Sequence, residues 1–133
     1  MMNKEDVLRK RREYNKRTGY ASYHRYEKTP MGFLMRMYHN MHERVVGIQK
    51  KKFHLYANLY LLPKDEFYTW AKNSPSFWEM FKVWEKSKYS RKLTPTVDRI
   101  NPVKGYELSN MEWVTHSENS RRSSITRLRF KKI

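Results

Sequence analysis

Residues 93–122 read LTPTVDRINPVKGYELSNMEWVTHSENSRR, and the order of elements in that stretch decides the fold. Thr94 to Ile100 alternates and reads as a strand ending in Asp98, Arg99 and Ile100. Asn101 to Gly105 is a loop rich in turn formers. Glu112 to Thr115 gives a second strand, with Trp113 and Val114 as its apolar content. Ser117 stands where a helix N-cap is expected, and Glu118, Asn119, Arg121 and Arg122 suit the first turns that follow. The predicted order is strand, loop, strand, helix. Ile100 and Trp113 are expected in the core. Asn110 is expected to fix the loop between Tyr106 and Trp113 by bonding to backbone.

A hairpin crossed by a helix can hold a cation between strand and helix. Asp98 lies at the end of the first strand and Asn119 one turn into the helix. A carboxylate and an amide oxygen are hard donors, suited to one Mg2+ or Mn2+ ion and poor for a closed zinc site. The competing readings are an ion pair of Asp98 with an arginine and a surface role for Asn119.

The pieces Thr96, Val97, Asp98, Arg99, Ile100, then Gly105 and Tyr106, Asn110, Trp113 to Thr115, and Asn119 resemble the HNH, or His-Me finger, endonucleases, specifically their phage-encoded branch. Tyr38 to Arg44, YHNMHER, is a looser match to the same branch. The resemblance implies a ββα-metal module and a metal-dependent phosphodiester hydrolysis, with Asp98 and Asn119 holding the ion. The family's general base is usually a histidine directly after the aspartate; here that position is Arg99. A guanidinium cannot accept a proton from water, though it can clamp a phosphate. His116, three residues before Asn119, is the candidate substitute base. With Ser117 as N-cap its direction is open, and a phosphate contact is the competing reading.

Composition points the same way. The 133 residues carry 29 Lys and Arg against 13 Asp and Glu, a formal net charge of +16. Such a surface concentrates polyanions, with DNA or RNA first and an anionic membrane second. The chain has no cysteine, which excludes disulfides and the thiolate zinc knuckle found in many HNH proteins. No apolar run is long enough to span a membrane, so an intracellular protein is expected, in a bacterial host cytoplasm if the phage resemblance holds.

The rest of the chain reads as support and as nucleic-acid contacts. Residues 1–28 form a basic aromatic arm with Arg11, Arg12 and Arg17, followed by Tyr20, Tyr23 and Tyr26. Basic and aromatic residues interleaved in this way suit phosphate contacts and base stacking; the competing reading is tyrosines that cover the core. Residues 29–92 form a helical support. Thr29 and Pro30 open one helix, with Leu34, Tyr38, Met41 and Val45 on one face and Gly47 at its end. The methionines Met35, Met37 and Met41 read as core filler. Lys50 to Lys52 is a basic run, and Phe53 to Leu62 holds a short extended piece. Pro63 opens a second helix and Ser76 a third, with Trp70, Phe77, Phe81 and Trp84 as core. Arg91 and Lys92 form a basic connector to the module at 93–122. Arg121, Arg122, Arg127 and Arg129 continue into a basic tail at 123–133, where Ser120, Ser123 and Ser124 weaken any long helix. One compact α+β domain is expected overall. The expected activity is DNA endonuclease, with nicking of duplex DNA among its outcomes. The alternatives are a DNA-binding protein on an HNH-like scaffold without catalysis, and an RNA-associated structural protein.

Overall fold

The computed structural model describes residues 3–47, 56 and 58–131, with side chains of the last helix described as far as Ile125. The expected basic run at 50–52, and residues 53–55 and 57 of the apolar stretch that follows, lie outside the described residues. The element order is α1 (Lys4–Arg17), α2 (Ala21–Glu27), α3 (Pro30–Val46), α4 (Lys64–Lys72), α5 (Pro75–Lys86), β1 (Pro95–Arg99), β2 (Met111–Thr115) and α6 (His116–Lys131). Single 3-10 turns occur at Arg91–Leu93 and Leu108–Asn110. The fold is α+β, a mainly helical N-terminal region followed by a small hairpin and a helix. The chain divides into two compact units, residues 1–36 and 37–133, with the division inside α3.

In the first unit the arm is helical. Asn3 caps α1 by accepting from the Asp6 amide at 2.8 Å, and Glu5 and Asp6 sit in the first turn, where the helix dipole favours acids. The segment at 21–27 forms α2, none of whose residues is buried. Thr29 caps α3 through its hydroxyl, which accepts from the Gly32 amide at 3.2 Å. Leu34 is fully buried, whereas Met35 is 43% exposed, which corrects its reading as core filler. The Met35 sulfur instead accepts the Tyr26 hydroxyl at 3.1 Å.

In the second unit the core is aromatic. Phe67 and Phe77 are completely buried, and Phe81, Trp84 and Trp113 nearly so. Trp113 of β2 stacks on Trp70 of α4 at 5.5 Å between centroids and tilts against Phe77 of α5 at 4.8 Å. These three rings join sheet to helices, and such pairs add about 1 kcal/mol each beyond the area they bury. Ile100, expected in the core, is 59% exposed. β1 ends at Arg99, so Ile100 has already entered the loop, where its amide donates to the Asn110 carbonyl at 2.9 Å.

The loop between the strands is braced by residues 60–62. Tyr106 donates its amide to the Tyr60 carbonyl at 2.7 Å, and Leu62 donates to Tyr106 at 3.0 Å. Gly105 passes so close that a Cβ there would run into the Tyr60 backbone carbonyl and amide. Backbone cannot step aside as a flexible side chain can. Gly105→Ala should therefore cost about 2 kcal/mol of stability, read as a lower thermal midpoint. An unchanged midpoint would contradict this packing.

Candidate functional site

β1 and β2 pair antiparallel with Asp98 opposite Glu112, Val97 opposite Trp113 and Thr96 opposite Val114. Side chains alternate across a strand, so the hairpin has two faces. Pro95, Val97 and Trp113 share the face that meets the aromatic core. Thr96, Asp98, Glu112 and Val114 share the other, against which α6 packs.

Two carboxylates directly opposite each other repel. The side chain that resolves this comes from α6. Arg122 Nη1 donates to Asp98 Oδ2 at 3.0 Å and also to Glu112 Oε1, while its Nε donates to Glu118 Oε1 at 3.0 Å. Glu118 also takes two bonds from Arg121, at 2.9 and 2.6 Å. The Arg121 and Arg122 guanidiniums hold the Glu118 carboxyl down at about 2. Bonds to Glu112, Asp98 and Glu118 raise the already high pKa of Arg122. The network is charge-assisted but partly wet: the side chains of Asp98 and Arg122 are 24% and 39% exposed.

The helix starts at His116, two residues earlier than the expected N-cap at Ser117 implies. Thr115 is the cap; its hydroxyl accepts from the Glu118 amide at 3.2 Å. The His116 amide donates to the Thr94 carbonyl at 2.8 Å, tying the helix start to the residue before β1. With His116 as the first helical residue, Asn119 is an i,i+3 neighbour of both His116 and Arg122, while those two stand about 120° apart around the α6 axis. All three are half-buried. Arg122 reaches Asp98 from a position one turn beyond Asn119.

Arg99 lies on the opposite face of β1 from Asp98. Its guanidinium donates to the carbonyls of Pro102 and Lys104 at 2.8 and 3.2 Å and sits 4.2 Å from the centre of the Tyr56 ring. Tyr56 in turn stacks on Tyr106 at 6.1 Å, and burial pushes the Tyr106 phenol up. Arg99 thus holds the loop. Asn110 is buried in the same loop. Its Oδ1 accepts from the Asn101 amide at 2.8 Å, and its Nδ2 donates to the carbonyls of Asn101 and Gly105 at 3.0 and 2.8 Å. All three polar positions of this amide serve the turn.

Of the expected nucleic-acid contacts, Arg11, Arg12, Arg17, Arg91, Lys92 and Arg121 are exposed. Arg122 is engaged with carboxylates, and the side chains of Arg127 and Arg129 lie outside the described residues. The backbone of α6 nevertheless runs on to Lys131, through the serines expected to weaken it. A serine costs only tenths of a kcal/mol in a helix interior, and no proline or glycine interrupts this stretch. Sequence reading missed Glu112 and Glu118 as partners of Arg122. The i,i+4 spacing of Glu118 and Arg122 was the available signal.

No family model, curated protein or solved structure matches the chain. Among the described residues, no group of three or more His, Cys, Asp or Glu side chains is placed to hold a metal ion. No described helix is long and apolar enough to cross a membrane.

Arg122→Ala should leave Asp98 and Glu112 facing each other uncompensated. The expected loss is about 1 kcal/mol, the value of charge-assisted bonds after discounting for exposure. It is measured by denaturant unfolding, and an unchanged midpoint would contradict the role given to Arg122. The pH dependence has a definite sign. The Glu118 carboxyl is depressed, so its contribution is present above its ordinary value of 4.5 and lost as pH falls towards about 2. Helicity by circular dichroism should fall through that window, with a smaller acid-dependent loss in Glu118→Gln.

Proposed function

We propose that the chain is a metal-dependent DNA endonuclease of the HNH-like ββα type, without a zinc knuckle. The observation that carries this reading is the Asp98 carboxylate on the hairpin face covered by α6, reached at 3.0 Å by a side chain one turn beyond Asn119. The donor chemistry fits a hard cation: a carboxylate from the strand and an amide from the helix, with water completing the shell. Asp98 and Asn119 would hold one Mg2+ or Mn2+ ion, whose charge would favour the scissile phosphate and the leaving oxygen. A cation at Asp98 would stand beside the Arg122 guanidinium on Oδ2, and the like charge of Arg122 opposes ion binding at this point. His116 is the base in this reading: an imidazole nitrogen can accept a proton from water. The chain's net charge of +16 supplies the attraction for DNA.

The Arg122 bond also favours a second reading, a DNA-binding protein on the same scaffold that does not cut. Here the guanidinium is the permanent counter-charge of Asp98, and Arg99 leaves the usual base position without a proton acceptor.

Supercoiled plasmid incubated with the protein and Mg2+ or Mn2+ separates the two. The nuclease reading expects nicked or linear product, abolished by Asp98→Ala and reduced by Asn119→Ala and His116→Ala. Cleavage that survives Asp98→Ala would overturn the site. Plasmid retarded in a gel but never cut would favour the second reading.

A further inference from the structure

We propose that the first unit carries a stacking surface for the unpaired bases of single-stranded DNA, built on Tyr20 and Tyr23. The two rings lie 6.2 Å apart between centroids at the start of α2. They are 51% and 53% exposed, so they do not serve as core cover. The turn that presents them is constrained. Gly19 and Tyr20 have φ of 64° and 61°, the left-handed region, which a tyrosine adopts only where its surroundings hold it. The restraint is the Tyr20 amide, which donates at 2.7 Å to the carbonyl of the buried residue Asn15. The Tyr20 backbone is therefore set before any ligand arrives.

Charge completes the surface. Lys16 and Arg17 close α1 immediately before the turn, and Arg25 follows on α2; all are exposed. Cations next in sequence to exposed aromatic rings fit a backbone of phosphates with free base faces. Duplex DNA does not offer those faces, because its bases already stack on one another. The choice of DNA over RNA rests on the proposed function; the stacking itself does not.

The test is binding by the full chain in EDTA, read by fluorescence anisotropy on an oligothymidine of about 15 nucleotides, a duplex of equal length and the matching oligouridine. The paired substitution Tyr20→Ala with Tyr23→Ala should weaken oligothymidine binding at least about tenfold and leave duplex binding within about twofold. Tyr20→Phe with Tyr23→Phe should restore it, since a phenyl ring still stacks. Unchanged oligothymidine binding in the alanine variant, or an equal loss on the duplex, would overturn the stacking surface. Tighter binding to oligouridine would overturn the DNA assignment, and tyrosine-dependent binding to anionic vesicles in place of oligothymidine would overturn both. Because EDTA prevents metal-dependent cutting, a failure of the nuclease reading leaves these outcomes untouched.

Discussion

The guanidinium of Arg122 is the contact on which the C-terminal module depends. β1 and β2 bring Asp98 and Glu112 together as a direct cross-strand pair, an arrangement that by itself favours separation of the strands. A single cation between them reverses the sign. The same cation anchors α6, whose described residues present no continuous apolar stripe to the hairpin. A polar helix that does not bury an apolar face must be held by its ends and its charges. Here the Thr115 cap and the Thr94 carbonyl hold one end, and Arg122 holds the next turns.

This gives the two faces of the hairpin different physics. The Val97 and Trp113 face is joined to α4 and α5 by stacked rings, an apolar contact that salt does not screen. The Asp98 and Glu112 face is electrostatic, partly wet, and responsive to pH and ionic strength. The proposed cation site falls on the second face. The rigid first face keeps the strand carrying Asp98 from shifting, and the Asn110 amide fixes the loop by satisfying three backbone groups at once.

The module's element order was legible because its signals are local. Alternation, a turn-rich loop and a polar run after Thr115 sufficed for strand, strand and helix. Thr29 and Pro30 marked α3 for the same reason. The helix start was displaced because two caps competed: Thr115 with Glu118 three residues on is a capping-box pattern, and it prevailed over Ser117. Ile100 was misread because the alternation continues one residue past the point where pairing ends. The partner of Asp98 was illegible, since it depends on the register of two strands and the rotation of a helix together. Arg99, by contrast, was open to a stricter reading. Adjacent residues of a strand face opposite ways, so Asp98 and Arg99 do not share a face.

The most direct test of this account is a double-mutant cycle on Asp98 and Arg122, using the two alanine substitutions and their combination, with unfolding free energy as the readout. The account predicts favourable coupling of about 1 kcal/mol that shrinks as salt is raised. Additive effects of the two substitutions, with no coupling at low salt, would contradict it.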